Sequence, residues 1–155
     1  MLFCVLCNAM GNRIVTGLGL PLWLDCYGTV LAAYALGPIW GGMAGLAGNI
    51  ITNFEYPIYC WYAIAGIVIG LIAGKAGRKG YFETIFGTMS AGVLITLTAV
   101  VSATPLNLIL SDGYTGNTWG DGVIDFLREW GLPMPVCSAI GEFYLDFVDK
   151  VLTLI

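Results

Sequence analysis

From Leu20 to Phe54 the chain reads LPLWLDCYGTVLAAYALGPIWGGMAGLAGNIITNF and carries a single charge, Asp25. Two apolar segments, Leu22 to Leu36 and Ile39 to Ile51, meet at Gly37-Pro38, a pair that breaks a helix and turns the chain. Gly37, Gly41 and Gly45 recur every four residues, with Ala44 and Gly48 on a neighbouring stripe. In water each such glycine costs a helix about 1 kcal/mol relative to alanine. In a bilayer, small residues at this spacing let helix backbones approach closely. The stretch therefore predicts a helical hairpin inside a membrane.

Composition agrees. Charged residues make up 10% of the 155-residue chain and apolar residues 58%, against about 25% charged in ordinary soluble proteins. So few charges cannot cover a soluble surface. The expected fold is an all-α integral membrane protein, one transmembrane domain over residues 1–155. At about 20 residues per crossing, the length allows a bundle of about six helices. The apolar runs are continuous rather than alternating, which excludes a β-barrel.

Net charge is −4, and the densest basic cluster is only Lys75, Arg78 and Lys79. That is too little for nucleic acid, so this partner class is excluded. The five cysteines are dispersed and odd in number, unlike a disulfide framework. Cys4 and Cys7 form a C-x-x-C, but with no histidine in the chain zinc lacks ligands. They read as small hydrophobes, and no metal or cofactor is expected.

In chain order, Met1 to Met10 reads as the end of a truncated first helix, its beginning short or missing, interrupted by Gly11-Asn12-Arg13. The second and third helices are the hairpin segments. Ile58 to Ala73 is the fourth, with Gly66, Gly70 and Gly74 four apart, and Ile85 to Ala103 the fifth. Thr104 to Gly131 is a long non-spanning stretch with a short amphipathic helix at Val123–Trp130. Leu132 to Ile155 is the last helix, with Pro133 and Pro135 in its first turn, where proline costs least. The positive-inside rule places Lys75–Lys79 in the cytoplasm. Loops 17–21, 52–57 and 104–131 then lie outside and both termini inside; Lys150 agrees and Arg13 dissents.

No hydrolytic or redox constellation is present, so the chain does not read as an enzyme. Gly70 to Ala76 faintly resembles a phosphate loop, but the glycine spacing is too short and Ala76 stands where Ser or Thr is required. Polar groups at membrane depth become the candidates, because an unpaired one is expensive there. Asp25, between Trp23 and Tyr27, is either a ligand-facing carboxylate under aromatic walls or a helix N-terminal acid favoured by the dipole. Asn49 and Asn53 lie one turn apart, able to read a polar molecule or to bond a neighbouring helix. Glu55, Tyr56 and Trp61 continue this outer rim, and Asn107 and Trp119 join it from the long outer stretch. Glu142 sits deeper in the last helix as a further binding candidate. Asp146 and Lys150, at the favoured i, i+4 spacing, read as a structural pair near the cytoplasmic end. The glycine stripes either pack the bundle or dock a partner membrane protein.

The hairpin resembles that of the substrate-binding S components of energy-coupling factor (ECF) transporters, in a branch of unsettled substrate whose helices read LPLxLDxxGT, LGPxxG and GLxxNxI. Matching positions include Leu20, Pro21, Asp25, Gly28, Thr29, Gly37, Pro38, Gly41, Gly45 and Asn49. The closing GEFYLDFVDK, with Asp149-Lys150, resembles that branch's acidic last helix. The likeness covers nearly the whole chain and is loose between Ile85 and Trp130. It implies a multi-pass protein of a prokaryotic plasma membrane that binds a vitamin-like micronutrient from outside. It also implies a transmembrane T component and two ATPase subunits as partners. The family's Ala-x-x-x-Ala docking motif has only Cys7-x-x-x-Gly11 as a loose equivalent here, leaving Gly37, Gly41 and Gly45 as a second docking candidate. A membrane-embedded sensory or structural domain is the alternative reading.

Overall fold

The structure, a computed structural model, describes residues 1–154, and among these it contains seven α-helices and no strand. They are α1 (Leu2–Leu18), α2 (Tyr27–Leu36), α3 (Pro38–Thr52), α4 (Ala63–Arg78), α5 (Ile85–Leu110), α6 (Thr118–Glu129) and α7 (Met134–Leu154). A 3-10 turn, Pro57–Tyr62, leads into α4, and together they form an apolar run of 22 residues. That run and the 26-residue α5 are long and apolar enough to cross a membrane; at 1.5 Å per residue α5 reaches about 39 Å. α1 and α2 are shorter apolar helices.

The hairpin forms as its composition demands. Gly37 takes φ +102°, a backbone state open to glycine, and Pro38 starts α3 at its first turn. The glycine stripe of α3 then meets that of α4. A Cβ on Gly45 would collide with the Gly66 carbonyl, one on Gly70 with the backbone of Gly41, and one on Gly74 with Pro38. Gly41 also faces Ala33 of α2. Gly41 and Gly45 are therefore sealed within the chain, which corrects their assignment as partner-docking positions. Gly11 is likewise covered by Leu24.

Three element boundaries differ from those expected. Gly11-Asn12-Arg13 does not interrupt α1, because Gly11 serves as a contact point and Asn12 turns its amide onto the Trp23 carbonyl. α1 ends instead at Gly19 (φ +63°), where Gly19 and Leu20 donate back to Thr16 and Val15, the double bond of a Schellman cap. α2 begins at Tyr27 rather than Leu22, leaving residues 20–26 as an irregular strap. α5 runs past Ala103 and through Pro105 to Leu110, so Asn107 belongs to a helix and not to a loop.

Four side chains hold the strap. Asn117 and Trp119 donate to the carbonyls of Leu20 and Gly19, Asn12 to that of Trp23, and Asp149 accepts from Leu24 N at 2.6 Å. Irregular backbone between apolar helices needs such partners, since its own groups have no ladder. Asn8, buried in α1, performs a similar service for α2: its Oδ1 accepts from Gly28 N (2.7 Å) and Thr29 N (3.3 Å). It thus caps from a neighbouring helix a terminus without a side-chain cap of its own.

The bundle has two distinct ends. At one, the α2–α3 turn lies beside Arg78, the last residue of α4, and the last turn of α7 packs near Phe82 and Gly92. At the other gather the C-terminal ends of α1, α3 and α5, the 3-10 turn and the start of α6. Large apolar side chains such as Phe3, Ile85, Phe86, Val101 and Ile109 point outward. The interior is built from small ones, including Ala32, Ala33, Ala44, Ala73 and Ala91.

Candidate functional site

At the second end the helices part around a cavity of about 480 Å3, within the usual range of small-molecule sites. Its size follows from the packing below it. The glycine contacts that draw α3 and α4 together stop at Gly45 and Gly66, and Gly66 itself lies in the cavity wall.

Six of the expected binding residues line this cavity: Trp23, Asp25, Asn49, Asn53, Asn107 and Glu142. They come from the strap, α3, α5 and α7, segments far apart in sequence. The other four lie elsewhere. Tyr27 faces a separate shallow cleft with Tyr34 and Phe82. Glu55 pairs with Arg13 at 3.5 Å on the exposed rim. Trp61 is exposed, and Trp119 spends its indole N–H on the Gly19 carbonyl. Arg13, the cation that opposed the expected topology, thus has a carboxylate beside it.

Beyond Tyr56, the aromatic wall comes from residues that the hairpin did not suggest. Tyr56, Tyr59 and Tyr62 all line the cavity, with successive ring centroids 6.4 Å apart. A 3-10 turn has three residues per turn, so residues three apart stack on one face. The same geometry carries Trp61 off that face. The Tyr-x-x-Tyr-x-x-Tyr spacing was visible in the sequence, but an α-helix over Ile58–Ala73 would have fanned these rings apart.

One hydrogen-bonded chain crosses the cavity wall. Tyr62 Oη donates to Asn107 Oδ1, and Asn107 Nδ2 donates to Glu142 Oε2 at 2.8 Å. Asn107 and Glu142 are buried, at 1% and 5% exposure, so both are fixed by partners while Glu142 Oε1 is left open. The amides of α3 are more restricted than expected. Asn49 Nδ2 donates to the Gly45 carbonyl and Asn53 Nδ2 to that of Asn49, each one turn back. Each amide spends one N–H in this way and retains its carbonyl oxygen and its second N–H.

The deep end holds a charge cluster. Lys150 Nζ lies 2.5 Å from Asp146 Oδ1 and 2.7 Å from Asp149 Oδ2. Lys150 and Asp146 are both cavity-lining, and both are 2% exposed. The expected Asp146–Lys150 pair forms in the C-terminal half of α7, and both residues also stand in the cavity wall. Its burial removes Lys150 as a witness for topology, because a buried, paired cation does not report a cytoplasmic surface. Asp149 is the hub: besides Lys150 and Leu24 N it lies 3.6 Å from Cys26 Sγ. Ligand atoms of Asp25, Cys26 and Asp149 fall within 4.8 Å of one another. That spacing suits a metal ion, but the Lys150 ammonium already holds the cation's place beside Asp149.

Asp146 Oδ2 and Thr52 Oγ1 are buried without a partner, and both residues line the cavity. Polar atoms so placed are what an incoming ligand would satisfy. No family model, curated protein or solved structure matches this chain. The chemistry of the cavity and the resemblance of the hairpin are what bear on function.

Proposed function

We propose that this protein is the substrate-capture subunit of an ECF-type importer, a multi-pass membrane bundle with both termini on the cytoplasmic side. It receives a vitamin-like small molecule from outside and passes it on through a T component driven by two ATPases. The observation that carries this reading is the cavity. It opens at the end of the bundle away from the basic turn, and it is walled by tyrosines and floored by fixed polar groups. Outward-facing Ile85, Phe86, Val101 and Ile109 suit lipid, and the two membrane-length helices supply spans. Docking to a T component uses outward faces, such as that of α1 around the half-buried Cys7, and not the Gly41/Gly45 stripe.

Co-purification tests the assembly. Tagged protein expressed with a T component and its ATPases should bring them down as a complex. If the T component never co-purifies, including after its ATPases are shown to assemble with it, the importer reading fails.

A further inference from the structure

We infer that the cavity selects a small organic cation, its ammonium or amidinium head against Asp146 and its apolar body among the Trp23 and tyrosine rings. This rests on the capture reading above and names its substrate class. The first observation is Asp146 itself. One oxygen is held by Lys150, and the other is buried with no partner although the side chain stands in the cavity wall. A buried acceptor left open costs about 1–3 kcal/mol, more when it is charged, and a donor brought by a ligand removes that cost.

Charge points the same way. Asp25, Glu142, Asp146 and Asp149 line or adjoin the deep end, and Lys150 is the one basic side chain among them. In surroundings of low dielectric, an unbalanced set of carboxylates takes up either protons or a further positive charge. The neutral wall is compatible with this, because Asn49 and Asn53 each keep a carbonyl oxygen able to accept from a cation's N–H. Trp23, Tyr59 and Tyr62 line the cavity, and an aromatic ring that meets a cation face-on attracts it by about 0.5–2 kcal/mol. A carboxylate or phosphate ligand would find Lys150 already held by Asp146 and Asp149. A bare metal ion would leave most of the 480 Å3 unfilled.

Charge-matched probes separate these cases. Benzamidine and tyramine (cations), benzamide (neutral) and benzoate (anion) are titrated onto the detergent-purified full chain by calorimetry. A vitamin and nucleobase panel spanning the same charge classes is titrated alongside. The cations should bind at least about tenfold more tightly than benzamide, with benzoate silent. Asp146→Asn should remove that advantage without changing benzamide binding, and Asp25→Asn provides the same comparison should Asp146→Asn not fold. Neutral or anionic compounds binding as tightly as cations would overturn the cation preference and leave the capture reading standing. If no compound of any charge class bound, both would fall.

Discussion

Asp149 joins three segments through one carboxylate: the Leu24 amide, the Cys26 thiol and the Lys150 ammonium all address it. Leu24 needs that anchor, since its φ of +48° is a left-handed state that costs a branched side chain about 1–3 kcal/mol. Replacing Asp149 by alanine takes one of two carboxylates from a buried ammonium, leaving Asp146, and strands the Leu24 N–H. The expected loss is about 1–3 kcal/mol of stability, read as a lower melting temperature in detergent. Asp149→Asn, which keeps an acceptor for Leu24, should lose less; equal melting of Asp149→Ala and wild type would mean the hub carries no load. Arg13→Ala, by contrast, removes an exposed pair and should change stability by less than about 1 kcal/mol. Some of this was readable in advance. Glu142 and Lys150 share a helical face by spacing alone. Asp149's reach to the strap was not readable, because it depends on residues 123–125 positions away.

Among the elements, the α3–α4 seam is the part most fully written in the sequence. Four-residue glycine spacing on both helices predicted close approach, and the backbones do touch at Gly41–Gly70 and Gly45–Gly66. Whether the stripe served packing or docking lay outside the reach of spacing, since both uses need small residues. Gly45→Leu should therefore abolish a folded monomer rather than merely weaken partner binding. Gly122→Ala, in α6 with open space around its position, should be neutral or stabilising by up to about 1 kcal/mol. Size-exclusion profiles and melting curves of the two variants check the contrast. The boundaries that escaped sequence reading share a cause. The start of α2 was extended back to Leu22 because its apolar letters fit a helix, yet side chains from α1, α6 and α7 hold that strap open. The fifth helix is expected over Ile85 to Ala103, and α5 continues through Pro105 to Leu110.

For the whole molecule, the two ends have different chemistry. Basic Lys75, Arg78 and Lys79 cluster near the Gly37 turn, and the cavity with its tyrosines lies at the far end. With the basic turn in the cytoplasm, a cysteine placed at Lys79 in a cysteine-free background should react with a charged thiol reagent only after cells are opened. One at Asn117 should react from outside. The reverse pattern would invert the topology. The all-helical class and the small-residue seam were legible from composition and period, whereas the cavity came from long-range convergence of Trp23, Asn49, Asn107 and Glu142. The central claim is that this convergence binds a small molecule. It is tested most directly by the melting temperature of the purified protein across a broad vitamin and nucleobase panel. One compound should raise it, by the equivalent of about 2.7 kcal/mol at a hundredfold excess over Kd, and Glu142→Gln should blunt that rise. A flat response of folded wild-type protein to every compound would contradict the claim.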